Sequence, residues 1–216
     1  MKSQKDKKTL GQREIVTEIN LAEKECRPVN LSNSIIPDLS SIDRIKYGLN
    51  LENSEVLISV FLGEIIISGD LNMKGIEIKG SLYLGNSSIK EDLILENAII
   101  NGAVNLVGSK IKGSVNAKGI KTSGFLSLSK SEIGGDVILE NAEIKNAEYD
   151  DLIVRGDLFI DTADIKGSLN LGKTKTEGVI NLEKTQIGNN IILTGAESKK
   201  GEIDTNMIKI EGKKII

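Results

Sequence analysis

The sequence contains no histidine and no tryptophan, and its single cysteine is Cys26. Because histidine is the commonest general base and the commonest metal ligand in proteins, its absence argues against most acid–base and metal-dependent chemistry. A lone cysteine excludes an intramolecular disulfide and a cysteine-cluster metal site. We expect Cys26 to be a buried or half-buried small apolar residue. We also expect no catalytic residue, no cofactor and no metal.

Prolines, aromatic residues and long apolar stretches are also scarce. The chain has two prolines, Pro28 and Pro37, and three residues each of phenylalanine and tyrosine. Its longest apolar runs span a few residues, whereas a membrane-spanning helix needs roughly 20. The basic start of the chain lacks the apolar stretch that follows in a secretory signal. We therefore expect no integral membrane segment and a cytoplasmic location.

Glycine and aliphatic residues are abundant, and they are arranged in a repeat of eleven residues. Consecutive units begin at Gly69, Gly80 and Glu91 and read GDLNMKGIEIK, GSLYLGNSSIK and EDLILENAIIN. The same frame continues to Gly135 without a gap. A short, fixed period of this kind is typical of solenoid folds.

Each unit has apolar or small residues at its third, fifth, eighth and tenth positions. In the unit that begins at Gly80 these residues are Leu82, Leu84, Ser87 and Ile89. A spacing of two places both members of a pair on one face of a strand, and the longer steps between pairs indicate turns. Glycine recurs at the first position, where we expect a corner with a positive φ angle. The pattern predicts very short strands joined by tight corners and excludes a helical solenoid.

Two units make one coil of the predicted β-helix, because residues 22 positions apart share a character. The sixth position of every second unit is charged, in the order Glu52, Lys74, Glu96, Lys118, Glu140, Asp161 and Glu183. The sign alternates as far as Glu140, so that opposite charges meet on neighbouring rungs about 4.8 Å apart. We therefore predict an all-β fold, a right-handed parallel β-helix with four short faces, about 22 residues per coil and roughly eight coils.

The chain then divides into a flexible N-terminus with a capping helix, a parallel β-helix and a C-terminal tail, at residues 1–26, 27–211 and 212–216. The helix is predicted from the helical spacing of Leu10, Ile15, Ile19 and Ala22. It would cover the raw edge of the first coil, and no equivalent cap is evident at the other end.

One break interrupts the repeat, in the segment from Asn146 to Arg155. If a single corner residue has been lost there, its alternating apolar residues match inward positions: Ala147, Tyr149, Leu152 and Val154. That alignment places Ile138 and Phe159 on adjacent rungs of one face, and the coil of 22 residues places Phe61 and Tyr83 on adjacent rungs of another. The charged residues of the break form either a carboxylate–guanidinium site or a surface ion pair that stabilises a distorted corner: Asp150, Asp151, Arg155 and Asp157.

The units resemble those of the pentapeptide-repeat class of right-handed quadrilateral β-helices. Similar inward pairs stand in LILENA (93–98) and VILENA (137–142), although this chain keeps a period of eleven where that class keeps fives. The pattern in IKEDLILENA (89–98) and IGGDVILENA (133–142) also looks like a family of prokaryotic repeat proteins, some of which carry a membrane-associated oxidoreductase label. A weaker similarity is to polymer-forming β-helices of the bactofilin type. These resemblances imply a rod-like fold, and their motifs specify no chemistry.

The sequence favours a structural or protein-interaction scaffold over an enzyme or a nucleic-acid-binding protein. Carbohydrate-active β-helix enzymes hold their catalytic side chains in a groove walled by long loops, and the short corners of this repeat leave no such wall. An oxidoreductase would need a cofactor-binding motif that the sequence lacks. Outward charges are of mixed sign and the net charge is −3, so neither the acidic face of a DNA mimic nor a basic stripe for DNA is present.

We predict that the rod associates with itself as a homodimer, or with an unidentified protein, through an apolar face or an end. The candidate contact residues are Ile138, Phe159, Phe61, Tyr83, Ile203, Ile208 and Ile210. One alternative is that the outward residues of the faces are scattered surface apolar residues, which are normal in proteins: Ile138, Phe159, Phe61 and Tyr83. The other is growth into a bactofilin-like filament through an uncapped end.

Overall fold

The structure is a computed structural model that describes residues 7–39, 42, 44–145, 147–149, 152–154, 156–201 and 203–215. Within these ranges one short strand and one α-helix are followed by a stack of very short strands. Parallel pairing between the strands builds a β-solenoid of about nine turns, with two of its four sheets each containing nine strands. The predicted fold class is confirmed.

Four parallel sheets form the faces of the solenoid, and we name them A to D. In each coil the chain passes through sheet B first, then A, D and C. Sheet A consists of Lys8–Thr9, Ser34–Ile36, Glu55–Val56, Glu77–Ile78, Ile99–Ile100, Lys121–Ser123, Glu143–Lys145, Lys175–Thr176 and Glu197–Ser198. Sheet B consists of Val29–Asn30, Leu49–Asn50, Leu71–Asn72, Leu93–Ile94, Val115–Asn116, Val137–Ile138, Leu169–Asn170, Ile191–Ile192 and Lys214–Ile215. Sheet C consists of Ile66–Ile67, Ser88–Ile89, Lys110–Ile111, Glu132–Ile133, Asp164–Ile165, Gln186–Ile187 and Lys209–Ile210. Sheet D consists of Val60–Phe61, Leu82–Tyr83, Val104–Asn105, Leu126–Ser127, Leu158–Phe159 and Ile180–Asn181.

The interior is a continuous stack of the apolar positions predicted from the repeat. Leu82, Leu84, Ser87 and Ile89 are all at most 1% exposed. The inward position of sheet C is isoleucine in every strand: Ile67, Ile89, Ile111, Ile133, Ile165, Ile187 and Ile210. Branched side chains stack well on a pleated surface, so the inward residues of each rung pack against those of the next. The core is therefore one continuous column along the rod.

The predicted N-terminal helix is present at Gln12–Lys24. Ile15 and Ala22 are fully buried, and Leu10 and Ile19 pack half-buried against the core. The Glu14 carboxylate accepts a hydrogen bond from the backbone N–H of residue 11 at 2.9 Å, which caps the first turn. The helix thereby covers the first strand of sheet B.

The prediction that Cys26 is buried or half-buried is wrong. Cys26 follows the end of the helix with a positive φ of 54°, and its side chain is exposed. The backbone N–H of Arg27 bonds the carbonyl of Ala22 at 3.0 Å, so this turn reverses the chain at the surface. The hydroxyl of Tyr47 lies 3.1 Å from the Cys26 sulfur.

The glycines at the first position of the repeat serve a steric purpose, which corrects the expected positive φ. At Gly69 a Cβ atom would overlap the carbonyl oxygen of Tyr47 on the neighbouring rung. Among the first-position glycines, Gly124 does have a positive φ (145°), but the recurring positive φ angles lie at the seventh position, for example at Asn53 (54°) and Gly75 (62°). Rungs therefore approach most closely at the first position and turn at the seventh.

The break at 146–155 is an insertion and not a coil that has lost one residue. Ala147–Tyr149 and Leu152–Val154 pair with each other as an antiparallel hairpin and join no parallel sheet. Across the break, rung neighbours are 32 positions apart, as in the hydrogen bond from Ser129 to Asp161. The alignment that placed Ala147, Tyr149, Leu152 and Val154 as a regular part of the coil is therefore wrong. The predicted cluster of Asp150, Asp151 and Arg155 lies outside the described residues.

The solenoid has about one turn more than predicted, because strands lie outside the predicted range of 27–211. Lys8–Thr9 pairs with Ser34–Ile36 in sheet A, and Lys214–Ile215 pairs with Ile191–Ile192 in sheet B. The sequence pattern missed both because neither strand carries the paired apolar residues of the repeat. Right-handedness stays a prediction.

Candidate interaction surface

Phe61 and Tyr83 lie on adjacent strands of sheet D, as predicted. Their rings are stacked, with centroids 4.8 Å apart and planes at 2°. Phe61 is 61% exposed and Tyr83 is half-buried. The two rings cover each other's faces along the rod, so the stack presents ring edges to solvent.

Ile138 and Phe159 lie on different sheets, which corrects the prediction that they share a face. Ile138 is in sheet B between Asn116 and Asn170. Phe159 is in sheet D, beside Ser127 and Asn181. The inserted hairpin moves every later residue to the sheet opposite the one expected from a period of 22. Both side chains are half-buried, and they form no common apolar patch.

Asparagines at the fourth position of the repeat close the corners, a role that the sequence reasoning missed. Asn72 Oδ1 accepts the N–H of Lys74 at 3.1 Å, and Asn105 Oδ1 accepts the N–H of Val107 at 2.9 Å. The same bond to the residue two positions on is made by Asn30, Asn50, Asn116, Asn170 and Asn181. The recurring N in LNM, VNL and LNL was the available signal for these turns.

Sheet D contains a surface without charge, although 27% of the residues of the chain are charged. Four successive rungs carry no Asp, Glu, Lys or Arg across this sheet and its two flanking corners, at residues 58–63, 80–85, 102–107 and 124–129. We call this surface the uncharged strip. It ends at the next rung, which carries Asp157 and Asp161.

The relief of the uncharged strip differs between its two halves. Phe61 and Tyr83 stand out from the first two rungs, whereas Asn105 and Ser127 occupy the same column on the next two. Ser127 is only 4% exposed, in contrast to Phe61. The strip is therefore raised in the centre of one half and low in the centre of the other.

The other faces carry ion pairs between neighbouring rungs, as the alternating charges predicted. Lys74 lies 2.9 Å from Glu96, and Lys118 lies 3.0 Å from Glu140. The predicted series stops there: across the hairpin, the rung after Glu140 is occupied by Gly172, and Asp161 belongs to the other corner. The outward columns of sheets A and C contain further pairs, Lys121–Glu143 at 3.1 Å and Lys110–Glu132 at 3.0 Å.

These pairs move the pKa values of their members in the directions that ion pairing requires. The hydrogen bond from Lys118 lowers the pKa of the Glu140 carboxyl, and that from Lys121 lowers the pKa of Glu143. The hydrogen bond to Glu96 raises the pKa of Lys74. Each of these groups is therefore held in its charged form near neutral pH.

A shallow groove of about 440 Å³ crosses sheet C, with charged walls. Its charged lining residues are Lys90, Lys110, Lys112, Lys166, Glu132 and Asp164. Lys110 pairs with Glu132, and Lys166 lies 2.6 Å from Asp164. Within the described part of the chain, no group of three Asp, Glu, His or Cys residues is placed to hold a metal ion. The groove offers an open, partly neutralised surface and no enclosed reaction site.

The predicted contact residues of the C-terminal end pack against the core of the rod. Ile203, Ile208 and Ile210 are half-buried and pack against the interior of the rod. Beside them, the last strand of sheet B places Lys214 opposite Ile191, in a column that the other strands of this sheet fill with Val, Leu or Ile. A charged residue in this column of an edge strand opposes pairing with a further strand.

Comparison of the chain with protein-family models, with curated proteins and with solved structures finds no match. Among the described residues, no helix has the length and apolar character needed to cross a membrane.

Proposed function

We propose that this chain is a non-enzymatic scaffold, a rigid rod that associates with itself and docks protein through the uncharged strip of sheet D. The observation that carries the proposal is that four successive rungs have no charged residue on their sheet D side. The other faces of the same rod do carry charged residues. The cores of protein interfaces are depleted of charge and enriched in aromatic residues. The strip combines both properties, with Phe61 as its most exposed apolar side chain.

Association through a face is better supported than association through an end. The helix at Gln12–Lys24 covers one end of the rod. At the other end, a strand added beside Lys214–Ile215 would have to lie against the ammonium of Lys214. Growth into a bactofilin-like filament requires two open ends, so it is the weaker alternative.

The proposal includes a cytoplasmic homodimer that is related in fold to the pentapeptide-repeat class. Its support is the sequence: a single cysteine, short apolar runs and the LILENA-type units. Fractionation of the native cell tests the location directly.

Sedimentation velocity of the purified chain, from about 1 to 500 µM, tests self-association. We expect a monomer–dimer equilibrium, and we expect Phe61→Ser to weaken it about tenfold because an exposed aromatic anchor is lost. The matched control is Ile99→Ser, since Ile99 is a 45% exposed apolar residue on sheet A.

A monomer at every concentration would contradict the proposal. So would an equal loss of association in both variants. Negative-stain electron microscopy of the same samples separates the dimer from the alternative: long filaments would support growth through the ends.

A further inference from the structure

We infer that the partner of the uncharged strip is a second copy of the same strip, packed with the two rods antiparallel about a two-fold axis. The inference rests on the proposed function and deepens it. The axis runs along the strand direction, midway between the rungs of Tyr83 and Asn105. Phe61 of each copy then lies over Ser127 of the other, and Tyr83 lies over Asn105.

The relief of the strip is complementary to itself in this orientation. In the central column, the exposed ring of Phe61 meets Ser127, which is 4% exposed. The same axis brings residue 59 opposite 125 and residue 85 opposite 107, which pairs Ser59 with Phe125 and glycine with Val107. In these three pairs a larger side chain meets a smaller one, and this complementarity favours close packing of the two copies.

The parallel orientation lacks this fit. A two-fold axis along the rods would place Phe61 against Phe61 and Tyr83 against Tyr83. Raised residues would then meet, and the buried Ser127 of one copy would face that of the other across a gap. The antiparallel arrangement also keeps the acidic rung of Asp157 and Asp161 beyond the opposite end of the partner's strip.

The size of the strip sets the strength of the dimer. Four rungs about 4.8 Å apart, each with six residues at about 3.3 Å, give a flat area of about 400 Å² per copy. A stable interface of standard size buries about 800 Å² per partner. We therefore expect a weak, concentration-dependent dimer, which the two-fold contact closes at two copies.

Cysteine cross-linking tests the orientation without removing the aromatic rings. In a Cys26→Ser background, which removes the exposed native thiol, the double variant Gly63→Cys/Ser129→Cys is treated with a short bismaleimide and run on a denaturing gel. The two-fold axis brings position 63 of one copy opposite 129 of the other. It leaves the two copies of position 63 three rungs, about 14 Å, apart along the rod.

We expect a covalent dimer from the double variant and none from either single variant. Gly85→Cys/Val107→Cys is the second pair, for use if the first does not fold, and Ser88→Cys on sheet C is the control for random collision. Sedimentation of the same samples distinguishes a failure of the antiparallel arrangement from a failure of the proposed function. A dimer in which Gly63→Cys cross-links to itself would overturn the antiparallel arrangement and leave the proposed function standing. A chain that stays monomeric would overturn both.

Discussion

At the scale of the residue, short polar side chains at the second position of the repeat link the rungs along one corner. Each accepts the backbone N–H of the same position on the next rung, as in the bond from the N–H of Ser114 to Asp92 Oδ1 at 2.7 Å. The bonds follow one another without a gap, through Asp70, Asp92, Ser114, Asp136, Ser168, Asn190 and Lys213. At this corner the backbone N–H groups that face the neighbouring coil thus donate to side-chain oxygens.

Replacing Asp92 tests the energetic weight of this ladder. Asp92→Ala leaves the N–H of Ser114 without its side-chain acceptor, and we expect a loss of about 0.5–1.5 kcal/mol in the free energy of unfolding. Asp92→Ser removes the same charge and keeps an acceptor, as Ser114 and Ser168 already do. Urea denaturation of both variants measures the difference. Equal stabilities would show that the side-chain bond contributes nothing measurable.

At the scale of the element, the repeat predicted the short strands and the helix because burial imposes a period on both. Leu82 and Ile89 have the spacing of buried residues in short strands, and Ile15 and Ala22 have the spacing of buried residues on one face of a helix. Both spacings arise because these side chains are removed from water on folding. The hairpin could not be read in this way. Its segment is about as long as one unit, and its alternating apolar residues fit a strand of the solenoid as well as a strand of a hairpin.

The candidate surface was predicted in part for the same reason. Phe61 and Tyr83 precede the hairpin, so a spacing of 22 placed them correctly on adjacent rungs. Ile138 precedes the hairpin and Phe159 follows it, so the undetected insertion moved Phe159 to sheet D and left Ile138 in sheet B. The uncharged strip was visible in the sequence, but it needs the four-sheet coil to become one surface.

Deletion of residues 146–155 tests whether the hairpin is needed for the fold. A Cβ atom on Gly156 would lie 2.5 Å from the carbonyl carbon of Lys145, so the two ends of the insertion are already close. Joining them restores a coil of ordinary length, and we expect the same β-rich circular dichroism spectrum and a change in unfolding free energy within about 1 kcal/mol. The full chain is the reference. An unfolded or aggregated deletion variant would show that the hairpin stabilises the solenoid.

At the scale of the whole molecule, ion pairs between rungs make stability depend on acid. The pKa values of Glu140 and Glu143 lie below their ordinary value of 4.5, first through the hydrogen bonds from Lys118 and Lys121. A carboxyl with a lowered pKa in the native state binds its proton more readily when unfolded. Its contribution is therefore complete above pH 4.5 and is lost as the pH falls through the lowered value.

We expect urea midpoints that are nearly constant from neutral pH to about pH 5 and that fall steadily towards about pH 3. Lys118→Met removes the partner of Glu140, so this variant should show a shallower fall than the native chain. Lys90→Met, on a lysine without a described ion pair within 4.0 Å, is the matched control and should keep the native slope. Identical slopes in all three chains would contradict an electrostatic origin.

The direction of the hydrogen bonds has a mechanical consequence. In every parallel sheet, and in the side-chain ladder at the corner, the bonds between rungs point along the rod. A pulling force applied to the two ends therefore acts on the coils in series, and only the outermost coil resists at any moment. Since each coil contacts only its neighbours, we expect the rod to unfold one coil at a time, from its ends, under low tension.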